Sequence, residues 1–112
     1  MLNRYIIERK IPDVGKSSEE DYSKLAGKSN EALSKLSPKV QWVQSFVTDN
    51  KVYCEYLAEN EDVVREHAKM VGIPADTISK VVHVCDPTTA SEFDVSKASA
   101  QKAAGAEKSM HA

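Results

Sequence analysis

The stretch Val40–Ala58, VQWVQSFVTDNKVYCEYLA, decides the fold. Apolar and aromatic residues alternate with polar ones on both sides of Thr48-Asp49-Asn50-Lys51, the period-two pattern of a β-hairpin. Asp49 and Asn50 both tolerate positive φ, which a two-residue hairpin turn demands. With those two at the tip, Thr48 faces Lys51. The ladder then runs back as Phe46 with Tyr53, Gln44 with Glu55, and Trp42 with Leu57. The opposite face pairs Val47 with Val52, Ser45 with Cys54, and Val43 with Tyr56. Val43, Ser45, Val47, Val52 and Cys54 are small and suit the interior of a helix-covered sheet. Trp42, Gln44, Phe46, Tyr53, Glu55 and Leu57 are large, aromatic and partly polar, the make-up of a face that meets a ligand or a partner subunit.

Working outward, Leu2 to Ile11 reads as a strand centred on Tyr5-Ile6-Ile7 and closed by Pro12 and Gly15. Ser17 or Ser18 then caps a helix, with Glu20 or Asp21 three residues on as the reciprocal partner. Tyr22, Leu25, Ala26, Ser29, Ala32, Leu33 and Leu36 fall on one stripe at helical spacing, and Pro38 stops the helix. Beyond the hairpin, Asn60 caps a second helix with Glu61 and Asp62 in its first turn. Its apolar stripe is Val63, Val64, His67, Ala68 and Val71, and Gly72 and Pro74 end it. Ile78 to Cys85 reads as the last strand.

The order strand, helix, strand, strand, helix, strand is the split βαβ pattern of an α+β, ferredoxin-like fold (βαββαβ). It implies a four-stranded antiparallel sheet with both helices on one face, the last strand beside the first, then the third, then the second. The uncovered face is rich in aromatics, so a homodimer through that open sheet face is expected. The domain is expected to occupy residues 1–88. Residues 89–112, rich in Ala, Ser and Lys, read as a flexible or partly helical tail in which Phe93, Val95 and Met110 are the large apolar exceptions.

Bulk properties narrow the function. The chain has 112 residues, enough for one core, and a net charge of −2. With a pI near 5.9 there is no basic bias toward nucleic acid or membrane. No apolar run approaches the ~20 residues of a membrane helix, and Met1-Leu2-Asn3-Arg4 does not read as a signal peptide. Cys54 and Cys85 form no CxxC pair, so reduced thiols in a cytoplasmic protein are expected.

Two constellations carry chemistry. On the open face, strand one contributes Arg4, Ile6 and Glu8, the hairpin contributes Gln44 and Glu55, and the last strand contributes Val81, His83 and Cys85. Glu8, Gln44, Glu55 and His83 then share a surface walled by Trp42, Phe46 and Tyr53. Carboxylate plus imidazole suits a borderline divalent metal such as nickel or zinc. The plainer reading pairs Glu8 and Glu55 with Arg4 or with lysines at a dimer rim. The second constellation is His67, alone on an apolar stripe, where a histidine is more often a satisfied core residue than a ligand. Its functional reading is contact with a sheet carboxylate or with the Cys54 thiol. Cys54 otherwise behaves as a small buried hydrophobe.

Glu8-Arg9, WVQSFVTDNKVYCEYLAEN at 42–60, REHAKMVGIPADTIS at 65–79 and Asp86-Pro87-Thr88 together resemble a family of small bacterial proteins of unknown function described as nickel-binding, with a ferredoxin-like fold. The resemblance covers nearly all of residues 2–88. It implies a dimeric α+β fold and, for some members, nickel bound by histidine and other side chains. Glu8, Cys54 and His67 match the family pattern. The family commonly reads Trp-Val-His-Ser-Tyr where this chain reads Trp42-Val43-Gln44-Ser45-Phe46. If the family histidine is a ligand, Gln44 weakens or removes metal binding here.

The sequence therefore points to a small soluble ligand-binding protein. Trp42, Gln44, Phe46 and Tyr53 are the candidate ligand-binding residues, and Glu8, Glu55 and His67 the candidate metal ligands. The alternatives are a dimeric α+β barrel enzyme of the monooxygenase or isomerase kind acting on a small organic substrate, and a purely structural interaction module. An apolar pocket with a perturbed polar group would favour the enzyme kind; convergent nitrogen and oxygen ligands would favour metal.

Overall fold

The computed structural model describes residues 1–92. The described residues divide into two units, the first being 1–82 and the second beginning at His83. In the first, β1 (Asn3–Lys10) leads through a single 3-10 turn at Val14–Lys16 into α1 (Glu19–Leu36), then β2 (Val40–Val47), β3 (Lys51–Ala58), α2 (Glu61–Val71) and β4 (Thr77–Lys80). All strand pairs are antiparallel, in the order β2-β3-β1-β4. This is the expected ferredoxin-like sheet.

Local chemistry sets the helix ends. Ser18 Oγ accepts from Asp21 N while Asp21 accepts from Ser18 N, a capping box that satisfies two otherwise orphaned donors. Asn60 caps α2 by accepting from Val63 N at 3.0 Å. Gly72 ends α2 in the left-handed region at φ 80°, where a Cβ is penalised. The α2 stripe Val63, Val64, His67, Ala68 and Val71 is buried throughout. It packs with Tyr5, Ile7, Val52, Cys54 and Tyr56 from the inner face of the sheet. Full burial of one such aliphatic side chain contributes about 1.5–3 kcal/mol.

Near its turn the hairpin keeps the expected register: Val47 with Val52, Phe46 with Tyr53, Ser45 with Cys54, and Gln44 with Glu55. A β-bulge between Trp42 and Gln44 then breaks it, so Trp42 pairs with Tyr56 and Gln41 with Leu57. Because side chains alternate faces, one extra residue carries Trp42 from the open face to the helix side. There its indole packs against the core and Nε1 donates to Ser45 Oγ at 2.9 Å. Val43, expected in the core, is the displaced residue and is 46% exposed. Val47 is also exposed, at the turn end of the edge strand β2.

The last strand is shorter than expected. It stops at Lys80, after pairing Thr77 with Glu8 through Lys80 with Tyr5. Val82 and Val84, which alternate with Val81, His83 and Cys85 and would turn inward in a continued strand, are exposed, and His83 and Cys85 are not strand residues. Pro74 O is held by Arg9 and the Asp76 carboxylate by Lys10 N, which fixes where the chain joins the edge of β1; beyond the pair of Lys80 with Tyr5, only Asn3 and Arg4 of β1 remain.

In the second unit, Thr88 N donates to Asp86 Oδ1 and Asp86 N to Thr89 Oγ1, opening the short helix α3 (Thr89–Glu92). The expectation for the 89–112 tail, with Phe93, Val95 and Met110, lies outside the described residues from Phe93 onward. Among the described residues no helix is long and apolar enough to cross a membrane.

Candidate functional site: a pocket under the first helix

Strand periodicity puts Tyr5, Ile7 and Arg9 on the same, inward side of β1. Arg9 is thereby carried into the core and is 1% exposed. Its Nε donates to Cys54 Sγ at 3.4 Å, Nη1 to Pro74 O at 2.6 Å, and Nη2 to Tyr56 Oη at 3.3 Å. The guanidinium carbon lies 5.9 Å from the Tyr56 ring centroid. No carboxylate pairs with it among the described residues.

These groups line a cavity of about 210 Å³ between the inner face of the sheet and α1. Ser29 of α1, Trp42 and Ser45 of β2, and Cys54 and Tyr56 of β3 share it with Arg9. The remaining wall is mostly aliphatic, including Ile11, Val14, Leu25, Ala26 and Val52. The polar groups form a continuous chain. Trp42 Nε1 donates to Ser45 Oγ, Ser45 Oγ to Cys54 Sγ at 2.9 Å, and Arg9 links Cys54 to Tyr56. Burial pushes the Tyr56 phenol up to about 12, against the opposing charge of Arg9.

His67 stands behind this pocket, fully buried, with its ring 5.3 Å from that of Tyr56. Its Nε2 lies 3.0 Å from Ser29 Oγ, and Nδ1 has no partner among the described residues. Burial holds its pKa below the usual histidine value; the bond to Ser29 opposes this and the Arg9 charge adds to it. The hydrogen-bond partners of Cys54 are Arg9 and Ser45 rather than His67.

The open face is a separate surface. Glu55 bonds both Arg4 and Gln44, the latter at 3.0 Å. The Gln44 bond is the main cause holding the Glu55 carboxyl below its usual range, with Arg4 adding to it. Glu8 pairs with Lys51 at 2.9 Å and raises the Lys51 pKa. Phe46, 58% exposed, and half-buried Tyr53 sit beside these pairs.

The expected residues thus divide between two faces. Gln44, Phe46, Tyr53, Glu8 and Glu55 gather on the open face as expected. Trp42 leaves them through the bulge, His83 through the early end of β4, and His67 lies on the opposite side of the sheet from Glu8 and Glu55. No three His, Cys, Asp or Glu side chains converge to hold a metal ion among the described residues. A nickel ion therefore has no fitting donor set within one copy of this region. Arg9 and Ser29 were not singled out by the sequence reading, although both carry the inward signal: Arg9 shares the parity of Tyr5 and Ile7, and Ser29 lies on the apolar stripe of α1.

The geometry can be set beside known proteins. A family model described as nickel responsive protein, SCO4226-like, matches residues 5–81. The crystal structure of SCO4226 from Streptomyces coelicolor A3(2) is similar with a TM-score of 0.63 and 12% identity, over 73% of this chain and 99% of that chain. At that identity the likeness concerns the fold. No curated protein matches the chain. The span from Tyr5 to Val81 holds the sheet but for Asn3 and Arg4, both covering helices and every residue of the pocket, and over it the chain belongs to the SCO4226-like family of nickel responsive proteins.

Proposed function

We propose that this chain is a small-molecule-binding protein whose site is the pocket between the sheet and α1. The observation that carries this is the cavity itself: a largely aliphatic space of about 210 Å³ into which the polar groups of Arg9, Ser29, Ser45, Cys54 and Tyr56 converge. Ligand sites have that composition, with a few placed polar groups in an apolar wall. The free thiol of Cys54 within the network suits a reducing, cytoplasmic setting. Titrating isotope-labelled full chain with small aromatic and aliphatic fragments tests the location. Shifts should cluster on Ser29, Trp42 and Cys54 and vanish in Ala26→Trp, which fills the cavity from α1. Shifts confined to Phe46 and Tyr53 would move the site to the open face.

A second reading, nickel binding, is favoured by the description of the family. It takes Glu8 and Glu55 as ligands on the open face, which two copies of the chain bring together as a homodimer. Calorimetric titration of metal-free protein with Ni²⁺, beside Glu55→Gln, tests it. Heat that disappears in the variant supports this reading, and no heat in the parent protein removes it.

A further inference from the structure

Arg9 is the least expected feature of the core. A guanidinium has five N–H donors. Three of them donate, to a thiol, a phenol and a backbone carbonyl. The other two, one on each terminal nitrogen, have no acceptor among the described residues, although the side chain is 1% exposed. A buried charge is costly unless an opposite charge and further hydrogen bonds compensate it. Among the described residues its surroundings contain acceptors and no carboxylate, and it is one of the residues that line the cavity.

We propose that the pocket takes a small, partly apolar organic acid, its carboxylate received by the Arg9 guanidinium and its hydrocarbon part lying among Val14, Leu25, Ala26 and Val52. This deepens the pocket reading and rests on it. The charge sets the class, because a hydrogen bond from a guanidinium to an ionised carboxylate is stronger than one to an uncharged acceptor. Size restricts it, because about 210 Å³ is below the roughly 300 Å³ at which drug-sized ligand sites begin. The aliphatic wall excludes a bare inorganic anion as the preferred occupant, since such an ion would leave most of that wall without contact.

The test compares acids with their uncharged isosteres on the full chain. Butyrate, benzoate and phenylacetate are each titrated beside the corresponding amide, following the fluorescence of Trp42, the single tryptophan; inorganic phosphate is titrated alone. At least one acid should bind about tenfold or more tightly than its amide, the ratio expected for a charge-assisted hydrogen bond. It should also raise the melting temperature, because it binds only the folded chain. Arg9→Gln should abolish the preference while the amide still binds. Should that variant fail to fold, the acid-to-amide ratio in the parent protein decides alone. Equal binding of acid and amide would overturn the charge recognition and leave the pocket reading standing. Phosphate binding as tightly as the best acid would overturn the organic class. Failure of every pair would overturn both.

Discussion

Two buried side chains decide the chemistry of this core. Arg9 brings a guanidinium inside, and burial disfavours the protonated form of His67 beside it. The depressed His67 pKa has a definite consequence for stability. The unfolded chain takes up a proton near the ordinary histidine value of 6.5, whereas the folded chain resists it until lower pH. Unfolded protein therefore binds more protons in that window, and stability is lost as pH falls from about 6.5 toward the folded value. The slope for one such group reaches at most about 1.4 kcal/mol per pH unit. Denaturant unfolding between pH 7.5 and 5 should show this loss in the parent protein and a flatter profile in His67→Gln. Parallel profiles would mean that His67 titrates alike in both states. Phase of the strand and of the helix stripe told from sequence that His67 and Cys54 point inward. What stayed hidden was that Arg9, on the same phase as Ile7, is buried as well, because a charged side chain at a strand end is ordinarily free to reach water.

At the scale of elements, the hairpin shows where a periodic reading holds and where it fails. Between Gln44 and Glu55 the alternation is unbroken and the pairing is as the sequence implies. At Trp42-Val43 the apolar residues change parity: Val40 and Trp42 are even, whereas Val43 and Val47 are odd. The bulge resolves this by burying the larger side chain and giving its N–H to Ser45, at the expense of Val43. Trp42→Ala should therefore cost about 2 kcal/mol or more, and Val43→Ser under about 0.5 kcal/mol. A regular ladder would make Val43 the costlier of the two, so chemical denaturation of both variants discriminates. The turn of the same hairpin is clamped from outside. Gly15 N donates to Asp49 O and Ile11 N to Asn50 O, both at 3.0 Å. A Cβ on Gly15 would stand 2.8 Å from Asp49 Cα, a backbone atom that cannot rotate away. Gly15→Ala should destabilise by about 1–3 kcal/mol, measured in the same way, and a neutral result would mean that the loop at 12–16 can lift off the turn.

At the scale of the whole molecule, a sheet covered on one side leaves the other to be accounted for. Fold class and strand order followed from the order of elements alone, because antiparallel hairpins and capped helices leave the split βαβ pattern few arrangements. The division of site residues between faces did not follow, because it depends on one inserted residue and on where the last strand stops. The bulge also changes which residue reports on self-association. Trp42 faces the helices, so the open face is carried by Phe46, Ile6, Tyr53 and Leu57, with the ion pairs of Arg4 with Glu55 and Lys51 with Glu8 around them. If two copies meet through this face, as we propose, Phe46 lies in the apolar part of the contact and a charge there has no partner once desolvated. Phe46→Glu should then shift sedimentation from dimer toward monomer, while Val43→Glu, on the bulge, should shift it far less. Either a monomeric parent protein or a dimer that survives Phe46→Glu would leave the open face as an ordinary solvated surface, and would withdraw the nickel reading that needs two copies without touching the pocket on the other side of the sheet.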